Sequence, residues 1–154
     1  MPVAPKAIPA RRAEPVVQFS IFTPNRLGRL HDLIQLFSSN SVHVLGLTVL
    51  DTTESAIIRC VVDDPDKARM LLQEHSFAFT ESKLLVVAID SATELNNIMS
   101  ALLEAELNIN YLYSFIPHPQ GQSMLGFSME DNEIGEKILQ QHQFKVLKQT
   151  DISR

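Results

Sequence analysis

The sequence lacks the features that mark secreted and membrane proteins. It contains a single cysteine, Cys60, which excludes an internal disulfide and suits a reducing compartment. No apolar run approaches the roughly 20 residues that a transmembrane helix needs. The N-terminal residues contain no apolar segment of the kind found in secretory signals. We therefore expect a cytoplasmic protein that does not interact with a membrane.

Charge is distributed unevenly along the chain. Residues 1–15 contain four prolines and three basic residues against one acidic residue, a composition typical of a disordered lead-in. Since the whole chain has a formal net charge of −5, the remaining residues are still more acidic. An acidic surface repels the phosphate backbone, which argues against nucleic acid as a partner.

The second half of the chain repeats the first. The segment LQEHSF at 72–77 returns as LQQHQF at 139–144, an offset of 67 residues. Nearer the N-terminus the offset is 65, as in the pair Leu30 and Leu95. Periods above roughly 50 residues are too long for solenoid repeats, so the pattern indicates a duplicated small domain. Two copies in one chain create a seam, and ligands are often bound at such seams.

Both copies have the same predicted order of elements. Alternating apolar residues predict a first strand over residues 16–23. Five apolar residues at helical spacing predict the helix that follows: Leu27, Leu30, Leu33, Ile34 and Phe37. The next predicted elements are a hairpin with strands at 42–50 and 55–62 and a helix at 64–75. A short strand at 77–79 ends the copy.

The second copy follows with strands predicted at 84–89, 109–116, 123–129 and 144–147 and helices that begin at 90 or 91 and at 133. Strand 84–89 is apolar on both faces, which predicts a central position in the sheet. The repeated order predicts an α+β fold: a ferredoxin-like βαββαβ unit duplicated in tandem, with helices on one face of an antiparallel sheet. We assign residues 1–15 to the lead-in, 16–80 to the first domain and 81–154 to the second.

One loop differs from what packing alone requires. Asn25 is placed to cap the first helix, and Gly28 lies in its first turn, where glycine costs about 1 kcal/mol relative to alanine. Arg26 and Arg29 add positive charge at the positive end of the helix dipole. A bound carboxylate would offset this charge and accept hydrogen bonds from the free N–H groups. The alternative is that Gly28 only permits tight packing of the helix on a strand while both arginines point into water.

Three motifs resemble those of ACT domains. TPNRLGRL at 23–30 is similar to the first-loop signature of that family, VDDPDKA at 62–68 to the start of its second helix, and LNINYLY at 107–113 to the start of its second strand. The resemblance covers roughly residues 16–150. It implies a protein with two ACT domains in tandem. Domains of this family are regulatory modules that bind an amino acid or a similar small molecule, typically where two domains pack side by side.

The resemblance also implies a set of ligand-binding residues. The loop wall would consist of Asn25, Leu27, Gly28 and Leu30. Arg26 and Arg29 belong to the candidate site because of their positive charge, as described above. The strand wall would consist of Leu45, Gly46 and Leu47, or of Asn110, Tyr111 and Leu112 from the other copy. In the second copy Thr93 stands where Gly28 stands in the first, and Glu94 replaces Arg29. We expect that second loop to bind more weakly, to bind something else, or to be structural only.

No group of residues indicates catalysis, a metal or a cofactor. The five histidines are not at metal-ligand spacing, and we find no nucleophile–base pair and no converging carboxylates. Tyr111, Tyr113 and Phe115 alternate on one strand face, as aromatic residues do in RNA-recognition sheets. The basic pattern of those sheets is missing, so we assign the three to the core or to an oligomer interface.

Three functions are therefore open. The first is a non-catalytic, allosteric regulatory protein, a homodimer, that binds an amino acid effector: its carboxylate is held by the amides around residues 26–28 and its ammonium by strand carbonyls. The second is a ligand-independent interaction or oligomerisation module. The third is a small enzyme on a ferredoxin-like scaffold, which would need catalytic groups that the sequence does not offer.

Overall fold

The computed structural model describes residues 14–24, 27–52, 54–116 and 121–153. The predicted lead-in as far as residue 13 lies outside these ranges, as do the predicted site residues Asn25 and Arg26.

The apolar patterns locate the first five elements of the first copy correctly. Strand β1, helix α1, the hairpin β2–β3 and helix α2 are residues Val16–Pro24, Leu27–Ser39, Val44–Asp51, Ser55–Val62 and Pro65–Glu74. Helix α2 begins where its sequence favours a start. The Asp64 side chain accepts a hydrogen bond of 3.1 Å from the Lys67 amide, and Pro65 occupies the first turn, where its missing N–H has no consequence.

A single long strand, β4, connects the two copies. It comprises the 12 residues Ala78–Ile89, so the prediction of a short strand at 77–79 and a separate strand at 84–89 was wrong. The first half of β4 pairs with β1, and its second half pairs with two strands of the second copy. The expected domain boundary after residue 80 lies inside this strand, and the division into 16–80 and 81–154 stays a prediction.

The second copy repeats the arrangement of the first. Helix α3, the hairpin β5–β6, helix α4 and strand β7 are residues Ala92–Glu104, Ile109–Ser114, Ser123–Met129, Asn132–Gln141 and Lys145–Leu147. Asp131 caps α4 as Asp64 caps α2, by accepting a hydrogen bond of 3.0 Å from the Ile134 amide. A short helix α5, Gln149–Ile152, follows and was not predicted. Among the described residues, no helix has both the length and the apolar character to cross a membrane.

The strands form one antiparallel sheet in the order β2-β3-β1-β4-β6-β5, with β7 also paired to β4. Each copy therefore has the strand order of a ferredoxin-like unit: β4-β1-β3-β2 in the first and β7-β4-β6-β5 in the second. The predicted fold class is confirmed. Strand β4 serves as the last strand of one unit and the first strand of the other, which explains its length.

Apolar side chains on both faces of the sheet are buried. On the helix side, each copy has its own core, built around Phe19, Leu33 and Phe37 in the first and around Ile98, Phe127 and Leu139 in the second. The opposite faces, here called the inner faces, pack on each other in a third apolar layer that we call the seam. It contains Val16, Leu45, Val61, Leu84, Val86, Ala88, Tyr113, Phe115, Met124, Leu147 and Ile152.

The seam closes where the two ends of the sheet meet. Gly46 of β2 forms an isolated antiparallel bridge with Phe115, just after β5, and the Ile116 amide donates a hydrogen bond of 2.8 Å to the Leu45 carbonyl. The Phe115 ring is so close that a Cβ on Gly46 would lie 2.7 Å from it. Glycine is required here because only a residue without a side chain permits this approach.

Because β4 belongs to both copies, we expect the two to unfold together. Replacing the fully buried Phe127 by alanine should lower the free energy of unfolding by about 3–5 kcal/mol through the cavity it leaves. The same change should reduce the hydrogen-exchange protection of first-copy amides such as those of Phe19 and Ile58 by a similar free energy. Urea unfolding followed by circular dichroism, with amide exchange by NMR, measures both quantities.

Leu103→Ala is the matched control, since Leu103 is a large apolar residue of the second copy that is 78% exposed. It should change the free energy of unfolding by no more than about 0.5 kcal/mol. Unchanged protection of the first-copy amides in Phe127→Ala would show that the copies unfold independently.

Cys60 lies in the first helix-side core with no exposed surface, in agreement with its predicted inward position. Burial raises the pKa of its thiol to about 12. We predict that a disulfide reagent at pH 8 labels the native protein only at the rate of unfolding, and labels it fully in urea, as mass spectrometry would show. Rapid labelling of the native protein would contradict the burial of this thiol.

Candidate functional site

The first turn of α1 is open at Gly28. Apart from its chain neighbours and the backbone of its own helix, no atom of the described residues lies within 4 Å of a Cβ added to this glycine, and the residue is exposed. Tight packing of the helix on a strand therefore does not account for Gly28. Of the two explanations given for this residue, the one based on packing alone loses its support. The turn contains no acidic residue. Its backbone is accessible to an approaching molecule and carries the positive end of the helix dipole.

Two other residues of the predicted loop wall are held by the first copy. The Arg29 guanidinium lies 4.2 Å from the centroid of the Phe77 ring, and its Nη1 is 3.7 Å from the Asp32 carboxylate. Arg29 therefore lies along the helix and does not extend freely into water. Leu30 is half-buried and packs against the first helix-side core.

The structure does not bring Leu45 and Gly46 to this loop. The sheet register pairs Asp51 with Ala56 and Ala56 with Thr23, so the end of β2 lies beside the loop that follows β1. Gly46 is five residues from that end, about 17 Å along the strand. Gly46 also lies under the Phe115 ring, and the Leu45 carbonyl is bonded to the Ile116 amide.

The alternative strand wall, at the start of β5, has a different environment. Asn110 and Leu112 are exposed, whereas Tyr111 is half-buried. Strand β5 runs antiparallel to β2 from the bridge at Gly46, so its start is directed toward the end of β2 beside the first loop. The Tyr111 ring contacts the first copy through the Arg59 guanidinium, whose carbon lies 4.2 Å from the ring centroid.

A buried glutamine links the two copies beside this tyrosine. Gln18 of β1 has no exposed surface, and its Nε2 donates to the Tyr111 hydroxyl at 2.7 Å and to the Ser82 hydroxyl at 3.1 Å. The Tyr113 hydroxyl donates to Gln18 Oε1 at 2.6 Å. Burial raises the pKa of Tyr113 above its ordinary value, so this hydroxyl remains a donor. Tyr113 and Phe115 are seam residues, in agreement with the first of their two predicted positions, the core or an oligomer interface.

In the second loop, a backbone amide is hydrogen-bonded to a carboxylate of the same chain. The Glu94 side chain, in the first turn of α3, accepts a hydrogen bond from the Asp90 amide. The Asp90 carboxylate in turn accepts from Gln122 Nε2 at 2.5 Å. An acidic side chain of the chain itself thus occupies an amide of this loop, which is a physical reason to expect weaker binding there. Thr93 is exposed beside it.

Near the second loop, the seam contains a cleft of about 310 Å³. Its lining comes mostly from the second copy, with Leu45 contributed by the first: Leu45, Ala88, Gly121, Gln122, Met124, Leu147, Asp151, Ile152 and Ser153. The second loop therefore lies at the same end of the seam as Leu45, whereas the first loop lies toward the start of β5. In the part of the chain that the structure describes, no three or more His, Cys, Asp or Glu residues are grouped as metal ligands.

Known proteins share this fold. Protein BT0572 from Bacteroides thetaiotaomicron matches with a TM-score of 0.83 at 22% identity, over 93% of this chain and 99% of that chain. The regulatory subunit of aspartate kinase from Thermus thermophilus, in its ligand-free form, matches with a TM-score of 0.57 at 12% identity, over 82% of this chain and 91% of that chain. A search of curated proteins gave no match. The family model described as an ACT domain pair matches residues 15–154, and the chain therefore belongs to this family.

Proposed function

We propose that this ACT domain pair is a non-catalytic regulatory protein that binds an amino acid or a similar small carboxylate at its first loop. The observation that carries the proposal is the open space at Gly28, in a helical turn without an acidic residue. The proposed loop residues are Asn25, Arg26, Leu27, Gly28, Arg29 and Leu30, and the proposed strand residues are Asn110, Tyr111 and Leu112.

The chemistry of the first turn of α1 suits a carboxylate. The first amides of a helix have no intrahelical acceptor, and the helix dipole adds partial positive charge at the same place. Together these make the start of a helix a site for anions. The second copy supports this assignment, because there the Glu94 carboxylate accepts from the Asp90 amide beside the first turn of α3. Strand carbonyls near the start of β5 would hold the ammonium group.

Regulation would arise from the position of the ligand between the copies. A molecule that contacts both the first loop and β5 binds more tightly when these two elements are close. This difference in affinity stabilises the arrangement in which they are close. The fold shared with a regulatory subunit of aspartate kinase supports a regulatory role for this chain. We further propose that the protein is a homodimer and that it is cytoplasmic; its one cysteine, which is free and buried, suits a reducing compartment.

Calorimetric titration with the twenty common amino acids tests the proposal, and we expect at least one of them to bind. Gly28→Val should abolish that binding, because the valine side chain covers the amides that donate hydrogen bonds to the carboxylate. The variant should fold, since the added atoms meet open space and no glycine of the described residues has a positive φ. Its free energy of unfolding should change by no more than about 1 kcal/mol.

Thr93→Val is the matched control, because it places the same side chain at the corresponding position of the second loop. It should leave the affinity unchanged. Equal affinity of Gly28→Val and the unaltered protein would exclude the first loop as the site. Failure of every amino acid to bind to the folded protein would exclude an amino acid effector.

The second candidate is a ligand-independent interaction module, and one observation favours it. Beyond its bridge at Gly46, β2 has no further strand partner on its outer edge among the described residues, and its Val49 and Leu50 are 44% and 48% exposed. Such an edge can pair with another chain. A stable assembly in light scattering, formed without ligand by a protein that binds no amino acid, would favour this candidate.

A further inference from the structure

Arg59 lies on the inner face of the first copy. In the sheet it pairs with Ser20 of β1 and with Thr48 of β2, so the three side chains form one row across three strands. Arg59 is half-buried, and its guanidinium stacks on the Tyr111 ring of the second copy. This position is on the face of the sheet opposite to α1 and therefore distinct from the first loop.

The charge of Arg59 is not neutralised within the described residues. Its Nε is the one buried side-chain nitrogen or oxygen there that lacks a hydrogen-bond partner. No described carboxylate forms an ion pair with it, although the chain carries a net charge of −5. By contrast, Arg69, on the helix side, is paired with both Asp66 and Glu81. Buried polar groups nearly always have partners, so the unpaired Nε makes Arg59 an exception among the described residues.

The neighbouring row of the same face is apolar and accessible. Ile57 lies two residues from Arg59 on β3 and pairs with Phe22 on one side and Leu50 on the other. Phe22 is 43% exposed and Leu50 is 48% exposed, while Ile57 is half-buried. A cation with unused donors thus lies directly beside a row of apolar side chains.

The second copy has no equivalent of this surface. At the repeat offset of 67 residues, Cys60 of the first copy corresponds to Phe127 of the second, in agreement with the sheet register. The residue that corresponds to Arg59 is therefore Gly126. At Gly126 the space of a side chain is taken by Leu84, 2.6 Å from an added Cβ, and by the Phe115 ring at 2.9 Å. The inner face of the second copy is filled by its own side chains, whereas that of the first copy keeps a charged and partly open surface.

We propose that this surface binds a small apolar carboxylate. The carboxylate accepts hydrogen bonds from the Arg59 guanidinium, which suits paired oxygens in a plane, with the hydroxyls of Ser20 and Thr48 beside it. The apolar part of the ligand lies on Phe22, Ile57 and Leu50. Partial burial strengthens the charged hydrogen bonds, and the apolar row favours a hydrocarbon group over a bare anion such as acetate.

Octanoate serves as the probe, with acetate and octan-1-ol as matched compounds that lack the chain or the charge. Titration calorimetry should show octanoate binding about tenfold or more tightly than either. Arg59→Met should weaken octanoate binding about tenfold or more, the effect of losing a charged hydrogen bond. Arg69→Met, which removes the same charge from the helix side, should change the affinity less than about twofold, as should Gly28→Val.

Leu50→Asn should weaken the binding of octanoate while leaving that of acetate unchanged. The proposal is overturned if octan-1-ol binds as well as octanoate, if Arg59→Met binds octanoate normally, or if the unaltered protein binds no octanoate. If Arg59→Met does not fold, NMR of the unaltered protein provides the test. The Nε–H resonance of Arg59, which is assigned by its loss in Arg59→Lys, should shift when octanoate is added but not when octan-1-ol is added. The absence of a shift with octanoate overturns the proposal.

Discussion

Backbone pairing along β4 is the constraint on which the rest of the structure depends. One half of this strand pairs with β1, and the other half lies between β6 and β7. Because a single strand belongs to both copies, the copies are not two domains joined by a flexible linker, and their inner faces are held against each other. The hydrogen bonds of Gln18 to Tyr111 and Tyr113 and the bridge between β2 and β5 stabilise this arrangement of the copies.

Duplication has kept the backbone of the two copies alike while their surfaces have become different. In the second copy an aromatic side chain covers Gly126, and the loop that follows β4 is satisfied by Glu94. In the first copy Gly28 is open, and Arg59 has an Nε without a partner among the described residues. Both proposed binding surfaces therefore lie on the first copy, while the second copy supplies side chains that face them.

Most elements could be predicted because hydrophobic periodicity is a local signal. Strand β4 was divided wrongly because residues 80–83 are polar and exposed, as they would be in a loop. Gln18 was missed because the alternation of β1 placed it on the face that a single copy would expose to water. It is buried only because the inner faces of the two copies pack on each other. The separation of Gly46 from Gly28 depends on sheet register and on the bridge to Phe115, and such long-range pairing has no counterpart in a local motif.

The hydrogen bond between Glu94 and the Asp90 amide has a consequence for stoichiometry. A tethered carboxylate competes with dissolved molecules at a high effective concentration, so it remains in place at ordinary solute levels. A duplicated receptor with two vacant loops would take up two equivalents per polypeptide and could respond sigmoidally. With the Asp90 amide of the second loop already bonded to Glu94, the proposed amino acid site at the first loop would saturate at one equivalent per polypeptide along a hyperbolic curve, and any steeper response would have to come from association between polypeptides.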